Sequence, residues 1–205
     1  MKKQDIIADA YNQFRLYGFK SVTMDDLART IGISKKTLYE LFKDKDELVL
    51  EAVKYMLNTN QCDTEEIFKN SNNAIEQIFG ILGLMEKMVR GLNLICYMDM
   101  QRYYPASYKY LEEHKKNYLY KCIISNLQQG ISEGYYREEI DLEIITRFRM
   151  ESALLVFQNN LFPQDKYDIV KVNNEIFTNF IYGIVSIKGY KLISKYLQKS
   201  LKNKI

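Results

Sequence analysis

Between residues 35 and 45 four lysines, Lys35, Lys36, Lys43 and Lys45, stand against only Glu40 and Asp44. That local excess of two positive charges has the polarity a phosphate backbone requires. Residues 1–50 as a whole nearly balance, nine basic against eight acidic, so the positive charge gathers at one place. The full chain of 205 residues carries 29 Lys+Arg against 26 Asp+Glu, and a net charge of +3 is too weak to name a partner. Bond-breaking chemistry finds no comparable constellation. There is no GxSxG, no HExxH, no phosphate-cradling glycine loop and no Cys/His cluster. Glu65-Glu66 and Glu138-Glu139 sit in polar stretches and read as surface, so neither an enzyme nor a bound cofactor is expected.

The elements around the lysines explain how they could be presented. Ile6, Ile7, Ala10, Phe14 and Tyr17 recur at helical spacing, and Gly18 reads as a left-handed stop. Thr23 and Asp26 form a capping box with Asp in place of Glu, opening a helix whose inner face is Leu27, Ala28 and Ile31. Gly32 ends it. Ser34 caps the next, with Leu38, Leu41 and Phe42 inward. Asp44 and Glu47 start a third with a second box, expected to run through Leu48, Ala52, Val53 and Met56 for two or three turns. Such short helices cannot stand alone and must pack on the first as a small bundle. The segment 24–42 meets the requirements of a helix-turn-helix. Two short helices share an apolar core, and the second presents Ser34, Lys35, Lys36, Thr37, Tyr39 and Glu40 outward. A major groove about 12 Å wide admits such a helix.

The run TMDDLARTIGISKKTLYELFKDKDELV resembles the N-terminal DNA-binding domain of the TetR family of bacterial transcriptional regulators. Thr23, Leu27-Ala28, Ile31-Gly32-Ile33-Ser34, Leu38-Tyr39, Phe42, Lys45 and Leu48 carry the likeness, over about residues 5–55. The resemblance implies that Thr23 fixes a phosphate and that Tyr39 and Lys45 hold the backbone on either side of the groove. It implies that Ser34, Lys35, Lys36 and Thr37 reach phosphates or base edges, with Lys43 beside them. Lys36 stands where many members have Gly, so no relative's operator sequence carries over.

Beyond the polar stretch 58–64 the pattern turns to longer helices. One follows Ala74, Ile75, Ile78, Leu82, Met85 and Val89, and another runs from about Ser107 to Ile131. A further helix runs from the Asp141 cap to the Phe162-Pro163 break, and a last covers about Asn173–Lys188. With 2 Pro, 9 Gly and no strand pattern, the expected fold is all-α. A three-helix helix-turn-helix domain over 1–50 is followed by a larger helical domain over 51–205. No stretch approaches 18 apolar residues, the N-terminus lacks a signal-peptide core, and three widely spaced cysteines suit a reducing cytoplasm.

The architecture implies a repressor released from a palindromic operator in double-stranded DNA by a small apolar or aromatic inducer. The soft and aromatic residues of the middle helices are the candidate lining: Met85, Met88, Tyr97, Met98, Tyr104, Tyr108, Tyr118 and Phe148. A protein partner for the C-terminal domain in place of a small molecule is the alternative. A homodimer would set two recognition helices on one DNA face. The wide apolar stripe of the last helices places its contact at Phe157, Phe177, Phe180, Ile181 and Ile184.

Overall fold

The computed structural model describes residues 2–90, 93, 95–158 and 160–202, the last six of these by backbone alone. The fold is all-α, with no strand among the described residues. In chain order its helices are α1 (Lys3–Tyr17), α2 (Met24–Ile31), α3 (Lys35–Leu41), α4 (Lys45–Asn70), α5 (Ala74–Val89) and α6 (Ile95–Tyr103). There follow α7 (Pro105–His114), α8 (Tyr120–Ser132), α9 (Leu142–Ser152), α10 (Ile169–Ile184) and α11 (Ile187–Lys202). They form two compact units, one of residues 1–63 and 88–115, the other of 64–87 and 116–205.

Several helices depart from their expected lengths. α4 does not stop after three turns but continues through residues 58–64 to Asn70. No Gly or Pro interrupts residues 45–70, so a polar stretch simply becomes an exposed helix surface. The helix expected over 107–131 is two, joined by a π turn at Lys115–Leu119. α9 ends at Ser152, eleven residues before Pro163, and a short 3-10 turn at Leu155–Phe157 follows. Asp168 starts α10 earlier than expected, its carboxylate accepting the Val170 amide at 2.9 Å. α11 was not foreseen as a separate helix. Gly18 has a φ of 91° but a ψ of 149°, so it is not the left-handed stop.

The first unit centres on Phe14, Leu27, Leu38, Phe42, Leu48 and Val53, all fully buried. Gly32 makes the turn between α2 and α3 with φ 77° and ψ 30°, a left-handed conformation in which any Cβ is strained. α6 and α7 belong to this unit. Cys96, Met100 and Tyr104 join its core, and the Tyr104 hydroxyl donates to the Phe19 carbonyl at 3.1 Å. Cys96 donates to the Phe14 carbonyl at 3.2 Å, and burial with the Asp99 charge pushes its thiol up to about 12. That thiol stays protonated. Cys62, by contrast, is exposed.

The second unit is built on α10. Phe177, Ile181 and Ile184 pack with Ala74 and Ile75 of α5, Leu127 of α8 and Ile193 of α11. Four residues of the expected subunit contact, Phe177, Phe180, Ile181 and Ile184, thus also belong to the core of the chain itself. Phe177 is 1% exposed within a single chain, and Phe180, Ile181 and Ile184 are buried with it. The wide stripe of α10 is covered by α5, α8 and α11, the last being the helix the sequence pattern did not separate. Phe157 is half-buried beyond α9. A polar group crosses this core. Asn126 donates to the Ala74 carbonyl and to Gln77, both at 2.9 Å, and accepts from the Tyr136 hydroxyl at 3.1 Å. Tyr136 lies against Gly130, where an added Cβ would run into the ring and force it to shift.

Candidate nucleic-acid interface

The chain builds the α2–α3 corner with local hydrogen bonds. The Thr23 hydroxyl accepts the Asp26 amide at 3.1 Å, and the Asp26 carboxylate accepts the Thr23 amide at 3.1 Å and its hydroxyl at 2.6 Å. These bonds hold the Asp26 carboxyl below the usual carboxylate range. Ser34 caps α3 by accepting the Thr37 amide at 3.0 Å. Asp44 caps α4 through the Glu47 amide at 2.9 Å. Glu47 reaches back to the Lys43 amide at 2.8 Å, one residue earlier than a standard box.

Leu38 is the one buried residue of α3. Ser34, Lys35, Lys36, Thr37, Tyr39 and Glu40 are exposed on its remaining surface, with Tyr39 46% exposed and so not a core tyrosine. The lysines differ in how their charges are held. Lys35 pairs with Asp25 at 2.8 Å, and that hydrogen bond raises its pKa. Lys36 reaches Glu40 only at 3.9 Å. Lys43 is exposed. Lys45 is half-buried, donates to the Lys20 carbonyl at 3.0 Å and lies 5.8 Å from the Tyr104 ring centre. Burial pushes its pKa down, partly offset by Asp99, Asp46 and Asp26. One of its three N–H donors is thus spent on the backbone.

The structure adds cations that sequence reasoning missed. Lys20 donates to the Tyr103 hydroxyl at 3.0 Å and lies over its ring, and Arg102 lies over the same ring at 5.5 Å. The Lys20 amide is fixed by Asp99 at 2.9 Å, across 79 residues of sequence. Lys20, Arg102 and Lys45 therefore meet around α6. No local pattern could have announced it, because the partners are remote in the chain.

The candidate ligand-lining residues divide between the units. Met88, Tyr97, Met98, Tyr104 and Tyr108 fall in the first, where Tyr97 and Tyr108 meet edge-on at 6.2 Å. Tyr104 is committed to the core beside Phe19, and Met98 is exposed. Met85, Tyr118 and Phe148 fall in the second. Burial and the neighbouring Cys122 push the Tyr118 hydroxyl up. Met85 lies 3.2 Å from a guanidinium nitrogen of Arg149, while Phe148 is 56% exposed and stacks on Phe180 at 6.4 Å. The single histidine, His114, is half-buried rather than fully solvated, and burial lowers its pKa. No group of three or more His, Cys, Asp or Glu among the described residues could hold a metal ion. No described helix is long and apolar enough to cross a membrane.

Residues 6–52 match the family model for bacterial regulatory proteins of the tetR family. The chain is 24% identical over 151 residues to the HTH-type transcriptional repressor KstR2 of Mycobacterium tuberculosis, covering 72% of this chain and 75% of that protein. It superposes on a TetR-family regulator from Agrobacterium tumefaciens with a TM-score of 0.74 at 16% identity, over 89% of this chain and 97% of that one. The structure of FadR from Bacillus subtilis in complex with stearoyl-CoA gives a TM-score of 0.68 at 20% identity, over 89% of this chain and 100% of that one. These superpositions establish the fold over both units. The segment 6–52, with the helix-turn-helix of α2 and α3, is thus of the tetR-family type, and over the rest of the chain the likeness is one of fold.

Proposed function

We propose that the chain is a homodimeric transcriptional repressor that binds a palindromic operator and is released by a small, largely apolar molecule. The observation that carries the reading is α3, a helix with Leu38 as its anchor and hydroxyl and lysine side chains over the rest of its surface. Residues 1–50 supply DNA contacts and the larger helical part supplies the ligand and subunit contacts. Ser34, Lys35, Lys36, Thr37 and Tyr39 face the groove, Thr23 and Lys43 flank it, and Lys45 holds the backbone with Lys20 and Arg102 nearby. Repressors named among the relatives, and a structural neighbour in complex with stearoyl-CoA, support both halves of the reading.

The subunit contact of this reading lies at the outer faces of α9 and α10, beside the buried Phe177 and Ile181. There a groove of about 320 Å³ is lined by Phe148, Ser152 and Leu155 on one side and Glu175, Ile176, Asn179 and Phe180 on the other. Ile144 and Tyr182 extend the exposed apolar surface, and a Cβ at Gly183 would touch nothing. A second copy packing here would remove this surface from water. Selection of bound fragments from random DNA tests the reading, with a recovered palindrome as the expected result and sequence-indifferent binding as the result against it. Phe148→Glu with Ile176→Glu should yield monomers with weakened operator binding. A dimer that survives both changes places the contact elsewhere.

A further inference from the structure

The interior of the second unit contains a cation with no ion-pair partner among the described residues. Arg149 of α9 is 6% exposed, yet no carboxylate among the described residues lies within ion-pair distance of it. Its guanidinium approaches the Met85 sulfur at 3.2 Å and lies over the rings of Phe177 and Phe180, at 5.5 and 5.2 Å from their centres. A thioether is a weak acceptor, and two aromatic faces satisfy no N–H geometry fully. Burial alone lowers its pKa, to about 10, so the group remains charged at neutral pH. An uncompensated charge in such surroundings is expensive, and proteins rarely keep one without a partner.

A second observation points the same way. Thr146 lies three residues before Arg149, on the same side of α9, and is 0% exposed. Its hydroxyl is fully buried and has no hydrogen-bond partner among the described residues. The hydroxyl does not back-bond to its own helix, which a buried helical threonine ordinarily does. Asn173, one turn before Phe177 on α10, is also buried, and its amide nitrogen makes only a 3.5 Å contact to Asn174. The acid next to Met85 in sequence, Glu86, is engaged by Asn174 at 2.7 Å. The interior thus holds a positive charge, set against Met85, Phe177 and Phe180, and an orphaned hydroxyl one helical turn away on α9.

We infer that the second unit holds an anion-binding subsite, in which the Arg149 guanidinium and the Thr146 hydroxyl receive the carboxylate or phosphate head of an otherwise apolar small molecule. The planar guanidinium matches either head through paired N–H donors, and Thr146 adds a third. Phe177, Phe180 and Met85 suit the adjoining apolar body. This rests on the reading of the chain as a ligand-responsive repressor and gives that ligand a chemical class.

The test uses dodecanoate, dodecyl phosphate and neutral 1-dodecanol as probes on the full-length protein, with calorimetric titration as the readout. The wild type should bind at least one of the two anions about tenfold to a hundredfold more tightly than the alcohol, the range expected for hydrogen bonds to a charged group. The tighter of the two anions identifies the head. Arg149→Met should erase the preference and, without ligand, melt no lower than the wild type, because a well-packed apolar side chain replaces an unpaired charge. Thr146→Val keeps the shape and should reduce the preference in part. It decides the matter if Arg149→Met fails to fold. Equal affinity for acid and alcohol, no binding of any probe, or a preference untouched by these substitutions would overturn the subsite. Operator binding measured in parallel separates the two readings. A protein that binds its operator without discriminating head groups loses only the subsite, and one that discriminates but ignores DNA loses the repressor reading.

Discussion

From Ile6 to Phe42 every buried side chain is apolar, whereas the second unit buries Gln77, Asn126, Thr146, Arg149, Ser152 and Asn173 among its apolar residues. The first arrangement suits a rigid head. Its polar groups are spent at the surface on caps, and its interior is held by close apolar packing. The second accepts the cost of buried polar groups. Asn126 is fully engaged by Ala74, Gln77 and Tyr136, but among the described residues the Thr146 hydroxyl has no partner and Arg149 is met by a thioether and two rings instead of a carboxylate. Under the proposed function the contrast fits the two tasks, since a reader of DNA must hold its shape while a receiver of ligands must keep polar capacity in reserve.

The sharpest way to probe this contrast is to damage each interior in turn. Phe14 is fully buried and packs on Phe19 at 5.2 Å. Phe14→Ala should cost about 3–5 kcal/mol and abolish operator binding, as measured by denaturant unfolding and gel retardation. A loss below 1 kcal/mol would show that the head repacks easily and is not rigid. In the second unit Asn126→Ala should cost about 3 kcal/mol, since it strips partners from the Ala74 carbonyl, Gln77 and the Tyr136 hydroxyl together. Tyr136→Phe removes one of those hydrogen bonds and should cost about 1 kcal/mol by the same measurement. If the tyrosine change costs as much as the asparagine change, the three bonds do not act as the linked network described.

The two regions also differ in how far the sequence discloses them. The head announces itself through local chemistry. Thr23 with Asp26, Ser34 with Thr37, and Gly32 at the turn are signals within four residues of their partners, and the structure contains each of them. The second unit depends on remote pairing. The breadth of the α10 stripe was legible, but its cover by α5, α8 and α11 was not, so Phe177 and Ile181 read as interface residues with no sign that they also pack within the chain's own core. α4 ran on through its polar stretch because amphipathic spacing marks a helix's buried face and gives no stop signal where that face merely fades. Lys20 and Asp99 show the same limit inside the first unit, because a contact across 79 residues leaves no periodic trace.

A gentler perturbation addresses the head alone. Thr23→Ala removes the hydroxyl that accepts the Asp26 amide, and should cost about 1 kcal/mol at neutral pH. Asp26 has its folded pKa lowered, first by the Thr23 side chain and then by the Thr23 amide. A lowered folded pKa means that its contribution is present above the unfolded carboxylate value and is lost as pH falls through the folded one. Thermal melts of wild type and Thr23→Ala should therefore differ more at pH 7 than in the range below about 4. A difference that does not change with pH would mean that the hydroxyl acts without the carboxylate.

The smallest effect on stability carries the most information about reading. Lys36 is exposed, and its ammonium stands 3.9 Å from Glu40, at the edge of ion-pair distance. Such a pair on a helix surface contributes little, so Lys36→Ala should change stability by less than about 0.5 kcal/mol. Lys45 differs, because its half-buried stem and its bond to the Lys20 carbonyl tie it to the fold. On DNA the two should separate in another way. Lys45→Ala should weaken binding to every sequence and lower the dependence of log affinity on log salt by about one unit. Lys36→Ala should instead alter the ranking of operator variants, by about 1–3 kcal/mol at one position if its ammonium contacts a base edge. Competition binding across single-base variants of the selected operator, repeated at two salt concentrations, distinguishes the outcomes. If Lys36→Ala weakens all variants equally and lowers the salt slope, Lys36 is a phosphate contact, and the exposed face of α3 reads sequence through Thr37 and its neighbours instead.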